Sequence, residues 1–442
     1  MTSIFSSFFN QASQIASRIE RMKEAEIALI SFASRFSHIH DANSHILEVF
    51  NTKIPYSSVP LEDGVECQVY KEGKIKDNNN NHDEEESFLI MHGIKVKSNV
   101  YNDTKSDSSI SNTPLVLLHG YANGCSYFYR NLYGLSNFGF GGTVYSLDLL
   151  GWGLSSRPTF KTRKVDGHNE VAMTEQFFVE SLEAWRKEHK LEKMTLGGHS
   201  FGGLISIAYT EKYPQYVDRL ILLSPVGIPE NDGEFEQRKK DMPYRLRFMI
   251  GIASSLWHAG VTPSSILRKM SESRGRHMVS RYIDGRLPAI ESREEKDNLT
   301  EYLYLNAALP GSGEYCLNKL LDPFAFAKVA ALYRIPKLDV KDVTFIYGQH
   351  DWMDARGGID AKNICNQMRQ DGKKNVPNVT VLGVKDAGHL LMLENWEEFN
   401  SAVIHAAGYA HNLPQHFPKP YSHEESHGSD YFFRRQRYQR KD

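Results

Sequence analysis

Hydrophobic positions along the chain gather into short unbroken runs separated by longer mixed segments. From Pro114 onward the runs PLVLLHG, GTVYSLDLLG, KMTLGGHS, RLILLSP, VTFIYG and VTVLGV recur. A strand covered on both faces needs such a run, because neither of its surfaces meets water. Between most of them lie helical segments such as TEQFFVESLEAWRKEH and GGLISIAYTEKY. Strand alternating with helix predicts an α/β fold, a mostly parallel twisted sheet with helices on both faces.

The alternation fails between Val226 and about Lys341, where the sequence is helical in character and YRLRFMIGIASSLWHAGVTPSSILRKM is its most apolar part. A connection of that length is a cap or a separate domain rather than a loop. The chain therefore divides into a helical N-terminal extension (1–60), a first part of the core (61–225), a helical cap (226–341), a second part of the core (342–411) and a disordered tail (412–442). Val65 to about Val96 reads as two strands interrupted by KDNNNNHDEEES, a solvated hairpin loop. NWEEFNSAVIHAAG reads as a closing helix with Asn395 at its N-cap.

Composition narrows the function classes. The chain has 442 residues, 40% hydrophobic and 24% charged, with a formal net charge of -2. That balance gives no global electrostatic reason to expect nucleic acid as a partner. Its 4 cysteines lack CxxC spacing, and its 18 histidines show neither HExxH nor paired Cys/His spacing. Neither a metal site nor a disulfide scaffold is expected, and no cofactor motif is present. No apolar stretch approaches the roughly 18 residues that a membrane span needs, so any membrane contact is expected to be peripheral. The N-terminus, MTSIFSSFFNQASQIASRIERMK, lacks acids until Glu20 and sets Ile4, Phe8, Ile15 and Ile19 roughly along one helical face. Two readings stand: a matrix-targeting peptide, which puts mitochondria ahead of the cytoplasm or a lipid-droplet surface, or an amphipathic helix packed on the body or lying on lipid.

The chemistry centres on Gly198-His199-Ser200-Phe201-Gly202, set between the strand KMTLG and the helix GGLISIAYT. A strand turning directly into a helix exposes Ser200 at the carboxyl edge of the sheet, and glycines two residues away on each side let the backbones pass. The acid and then the histidine of such a nucleophile elbow follow the serine, each after a later strand. VTFIYGQHDWMD supplies Asp351 and VTVLGVKDAGHLLMLEN supplies His389. Asp354 and Asp386 compete for the acid; the first lies far into its loop, the second only three residues before the histidine it would orient. Donors for an oxyanion are expected from the amides of Tyr121, after His119-Gly120, and of Phe201. His119 reads as a brace for that loop, and Asp148 as a carboxylate tying loop amides together.

The segments HGYANG, DLLGWGLSSRP, FFVESLEAWRK, GHSFGG, YPQYVDRLILLSPVGIP, HDWMD and AGHLLMLENWEEFN resemble, in this order, the α/β-hydrolase group that contains the lipid-droplet lipase co-activator and the fungal cardiolipin deacylases. The likeness runs from about Leu61 to Ala407. It implies an acyl-lipid substrate and one of three roles: phospholipid deacylation, acylation of lysophosphatidic acid from acyl-CoA, or lipase co-activation in members that lost the serine. Ser200 is retained, which argues against the third. The group's His-x-x-x-x-Asp acyltransferase signature becomes His389 to Glu394 here, which weakens that carry-over; Glu394 reads more simply as an acid near the first turn of the closing helix. Hydrolysis is the default, since transfer to a lysolipid requires a positioned acceptor and exclusion of water.

Phe248, Met249, Ile250, Ile252, Leu256 and Trp257 are expected to line or cover an acyl slot, or to pack in the core. Arg245, Arg247, Arg268, Lys269, Arg274 and Arg276 are candidates for lipid phosphate. The terminal YFFRRQRYQRKD mixes basic and aromatic residues, as an anionic bilayer contact would, or as a solvated tail does. Protein partners are not legible.

Overall fold

The computed structural model describes residues 2–37, 44–61, 67, 87–101, 113–161, 170–231, 233, 237 and 239–422. Among these described residues nine strands form one sheet: His45–Pro55 (β1), Phe88–Ser98 (β2), Leu115–Leu118 (β3), Thr143–Leu147 (β4), Met194–His199 (β5), Val217–Leu223 (β6), Asp342–Gly348 (β7), Asn378–Val384 (β8) and Tyr421–Ser422 (β9). Their order is β1-β2-β4-β3-β5-β6-β7-β8-β9. The stretch from β4 to β8 is parallel, while β1, β2 and β9 pair antiparallel to their neighbours.

Every residue of β3 and β5 is buried, as their unbroken apolar runs require. Alternate residues face opposite layers. Val116 and Leu118 join one apolar cluster with Leu196, Leu222 and Phe345, and Leu115 and Leu117 join another with Ile221, Leu223 and Ile346. Helices Glu170–Glu188 (α3) and Phe201–Lys212 (α4) cover the first face. Thr2–Ser31 (α1), Leu132–Phe138 (α2) and Trp396–Ala406 (α12) contribute to the second. The strand order reverses between β3 and β5, and the carboxyl ends of strands at such a switch point are where open α/β sheets bind their ligands.

Between β6 and β7 the chain forms Tyr244–His258 (α5), Pro263–Arg268 (α6), Glu272–Arg286 (α7), Arg293–Ala308 (α8) and the short Leu317–Leu320 (α9). Leu299, Tyr302 and Leu305 of α8 are buried in the second cluster, and Arg21 of α1 bridges Glu272 of α7 and Glu301 of α8. Arg356–Gln370 (α10) and Leu391–Glu394 (α11) complete the helices used below.

Three sequence readings change. Residues 1–60 are not wholly helical, because β1 lies within them and forms the edge of the sheet; its partner across the hairpin is β2. Exposure alternates along β1, so it offers no continuous apolar run to read. The strand expected from Val65 and the loop KDNNNNHDEEES fall almost entirely outside the described residues. The tail is ordered further than Asn412: Phe417 is buried against Phe138, Ser401 Oγ donates to the Pro418 carbonyl, and β9 pairs with β8. One aromatic anchor and a short strand pairing leave little trace in composition. Residues 423–442, including YFFRRQRYQRKD, lie outside the described residues. Finally, α5 has no buried residue, with Phe248 58% and Met249 66% exposed. Of its apolar side chains Trp257 alone packs against the first cluster, its indole N–H donating to the Leu321 carbonyl at 3.2 Å, while Phe248, Met249 and Ile252 lie exposed.

Candidate active site

Ser200 sits between β5 and α4 with φ 52° and ψ −112°. A non-glycine residue at positive φ is strained, and the strain is held by the backbone around it. Ser200 N donates to the Leu223 carbonyl at 2.9 Å, and the Ser200 carbonyl accepts from Gly203 N at 3.0 Å and Val226 N at 3.2 Å. The flanking glycines are obligatory. A Cβ on Gly198 would stand 2.3 Å from the Gly202 carbonyl oxygen, and one on Gly202 would stand 2.5 Å from that of Leu118.

The three residues expected to act together come together. His389 Nε2 lies 3.1 Å from Ser200 Oγ, and His389 Nδ1 lies 3.0 Å from Asp351 Oδ1. A carboxylate only accepts, so in the neutral ring the proton sits on Nδ1 and Nε2 is left to accept from the serine hydroxyl. Asp351 is buried and also accepts from Met353 N at 2.9 Å. The competing acids are elsewhere: Asp354 is tied to Arg356, and Asp386 is exposed at the end of β8.

Phe201 opens α4, so its N–H has no acceptor within the helix. The loop after β3 runs against the same corner: a Cβ on Gly120 would stand 3.2 Å from Ser200 Cβ, which brings the Tyr121 peptide into the neighbourhood of the serine. His119 braces this loop. Its Nδ1 donates to the Gly120 carbonyl at 2.7 Å, and its Nε2 accepts from Leu149 N at 3.0 Å. Burial lowers its pKa to about 4, so the ring is neutral. Asp148 accepts from Cys125 N at 2.6 Å and Leu154 N at 2.7 Å, joining two loops.

Two contributors were not legible. His199, inside the elbow motif, is buried and kept neutral by that burial, and its Nε2 donates to the His389 carbonyl at 2.9 Å. Glu394 is not in the first turn of the closing helix; it ends α11, and its carboxylate accepts from Gly388 N and Leu390 N. Its position five residues after His389 was the available signal. Of the basic residues considered for phosphate, Arg268 is paired with Glu314 and Arg276 with Glu272 and Glu301.

Away from the serine, Glu26, His92, Cys125 and Asp148 bring ligand-type atoms within 4.8 Å of one another, all buried. They come from separate segments, so no sequence spacing announces them. Their hydrogen bonds knit α1 to the sheet: His92 Nε2 to Glu26 Oε1 at 2.8 Å, Ser126 Oγ to Glu26 Oε2 at 3.0 Å.

A family model described as alpha/beta hydrolase fold matches residues 113–395. The chain belongs to the α/β-hydrolase fold family. A 1-acylglycerol-3-phosphate O-acyltransferase of Arabidopsis thaliana is 33% identical over 317 residues, 70% of either chain. The 1-acylglycerol-3-phosphate O-acyltransferase ABHD5 of Rattus norvegicus is 33% identical over 72% of this chain and 82% of its own. Among solved structures, a bacterial membrane phospholipase A superposes with a TM-score of 0.50 at 14% identity, covering 93% of this chain and 100% of that one. That last likeness concerns the fold alone.

Proposed function

We propose that this α/β-hydrolase is a serine acyl hydrolase that deacylates membrane phospholipids, cardiolipin among the candidates. The observation that carries the reading is the 3.1 Å approach of His389 Nε2 to Ser200 Oγ, with Asp351 on the far nitrogen. Ser200 Oγ attacks the acyl carbonyl carbon while its proton passes to His389 Nε2. The amides of Tyr121 and Phe201 meet the oxyanion. The leaving glycerol oxygen takes the proton from His389 as the acyl–oxygen bond breaks, and water then repeats the sequence on acyl-Ser200. Peripheral contact with lipid is supported by α5, which presents Tyr244, Phe248, Met249 and Ile252 to solvent beside Arg245 and Arg247.

Labelling with a fluorophosphonate tests the site: the full chain reacts and Ser200→Ala does not. A folded protein that fails to label, and releases no fatty acid from phospholipid vesicles, overturns the proposal and favours a non-catalytic co-activator.

A second reading is acyl transfer to lysophosphatidic acid, favoured by the relatives named 1-acylglycerol-3-phosphate O-acyltransferase. Transfer and hydrolysis share the acyl-serine and differ in the oxygen that attacks it. Radiolabelled acyl-CoA or phospholipid, supplied with and without lysophosphatidic acid, separates them: free fatty acid in both cases supports hydrolysis, and acceptor-dependent labelled phosphatidic acid supports transfer.

A further inference from the structure

We propose that Glu394 is the positioning residue that presets the backbone of His389 for proton transfer, and that its place five residues after the histidine reflects this task rather than a separate acyltransferase acid. The proposal rests on the reading of Ser200 and His389 as the reacting pair.

Four backbone groups around His389 are held by side chains or backbone from other segments or from further along the chain. Glu394 Oε2 accepts from Gly388 N at 2.8 Å, and Glu394 Oε1 accepts from Leu390 N at 3.1 Å. One carboxylate thus takes the amide on each side of the histidine. On the opposite polarity, His199 Nε2 donates to the His389 carbonyl at 2.9 Å, and His350 N donates to the Ala387 carbonyl at 2.7 Å. Gly388 fits this arrangement because a Cβ there would lie 3.2 and 3.3 Å from the two Glu394 oxygens and 3.5 Å from the His350 carbonyl oxygen.

The charge and the length of Glu394 both matter. Bonds from N–H to an ionised carboxylate are roughly twice as strong as neutral ones, and two parallel acceptors are what a pair of amides pointing the same way requires. A glutamine keeps one acceptor and turns an NH₂ group against the other N–H. An aspartate keeps both acceptors but falls short by one methylene. An acid serving acyl transfer independently would have to aim an oxygen at the substrate, whereas both oxygens here are engaged with the main chain that carries His389.

The test uses the full chain and Glu394→Gln, Glu394→Asp and Glu394→Ala, with a short-chain p-nitrophenyl ester as probe. Loss of the clamp lowers kcat by about 10- to 100-fold, the scale expected when a catalytic group is misplaced by up to an ångström. KM stays within about twofold, because Glu394 does not contact substrate. Aspartate, with two acceptors, retains more kcat than glutamine or alanine. In parallel, hydrogen exchange of a peptide spanning Ala387 to Leu391 accelerates in the glutamine variant. Should the Glu394 variants fail to fold, Gly388→Ala crowds the same contact from the other side and is expected to give the same kcat-only defect.

A folded Glu394→Gln protein with wild-type kcat and unchanged exchange overturns the proposal. So does selective loss of acyl transfer to lysophosphatidic acid with hydrolysis intact, which would make Glu394 an acyl-transfer acid. If the wild-type chain shows no Ser200-dependent ester chemistry, the proposed function fails, and the exchange measurement alone then decides whether Glu394 holds the loop.

Discussion

At the scale of single residues, the site is held by contacts too close for substitution. Gly198 has no room for a methyl group, since its Cβ would meet the Gly202 carbonyl at 2.3 Å and Ser206 Oγ at 2.4 Å. Gly198→Ala is therefore expected to destabilise the protein by at least about 1–3 kcal/mol, the usual range for overpacking, and to lose fluorophosphonate labelling as Ser200 is displaced. A melting curve and a labelling gel read the two effects. Asp351→Asn should leave the fold intact, because the amide oxygen still accepts from Met353 N, yet lower kcat on the order of 10³- to 10⁴-fold by losing the negative charge that stabilises the His389 imidazolium. An activity within about tenfold of wild type would show that another acid orients the histidine. These residues were legible because each stands just past a strand end in a required order. His199 and Glu394 were not, because their partners are backbone groups, which leave no residue type to recognise.

At the scale of elements, the joint between α1 and the sheet depends on pH. Burial by itself would lower the His92 pKa, but the adjacent Glu26 carboxylate outweighs it and the pKa is raised above 6.5. Burial would raise the Glu26 pKa, but His92, Ser126 and Cys125 outweigh it and the pKa falls below 4.5. A raised histidine pKa contributes stability that is complete below the unfolded value of 6.5 and fades as pH rises through the folded value. A lowered carboxylate pKa contributes stability above the unfolded value of 4.5 that is lost as pH falls through the folded value. The contribution of the pair is therefore greatest between pH 4.5 and pH 6.5 and declines on the alkaline side as His92 releases its proton. Thermal melting of the wild-type chain and His92→Gln across this range checks it: the gap between the two curves should narrow as pH climbs past 6.5. A gap independent of pH would mean that the pair does not titrate as an ion pair. Spacing alone shows amphipathic positions for α1 without the surface they meet, which is why docking, lipid contact and targeting are all open readings of that segment.

At the scale of the whole molecule, the cap is divided in its packing. Its α8 is anchored to α1 and the second apolar cluster, whereas α5 keeps large apolar side chains in water. Fully burying one such side chain is worth about 1.5–3 kcal/mol, so Phe248→Asp combined with Met249→Asp should weaken binding to anionic phospholipid vesicles by about tenfold or more. The melting temperature should not fall, because neither residue is buried. Co-sedimentation and a melting curve measure both; unchanged vesicle binding would remove α5 from the lipid contact.

Taken by itself, the sequence determined the parallel sheet, the elbow around Ser200 and the order of its partners. Continuous apolar runs and obligatory glycines are constraints that act within a few residues and so can be read locally. The tertiary structure alone decided that β1 closes the sheet edge, that the segment around Phe417 is anchored, that α5 leaves Phe248 and Met249 in solvent, and that Glu26 meets His92 and Glu394 meets the His389 loop. Each of these depends on which surfaces come to lie against each other across long stretches of chain, and hydrogen bonding to a backbone group or burial against a distant element demands no particular local pattern.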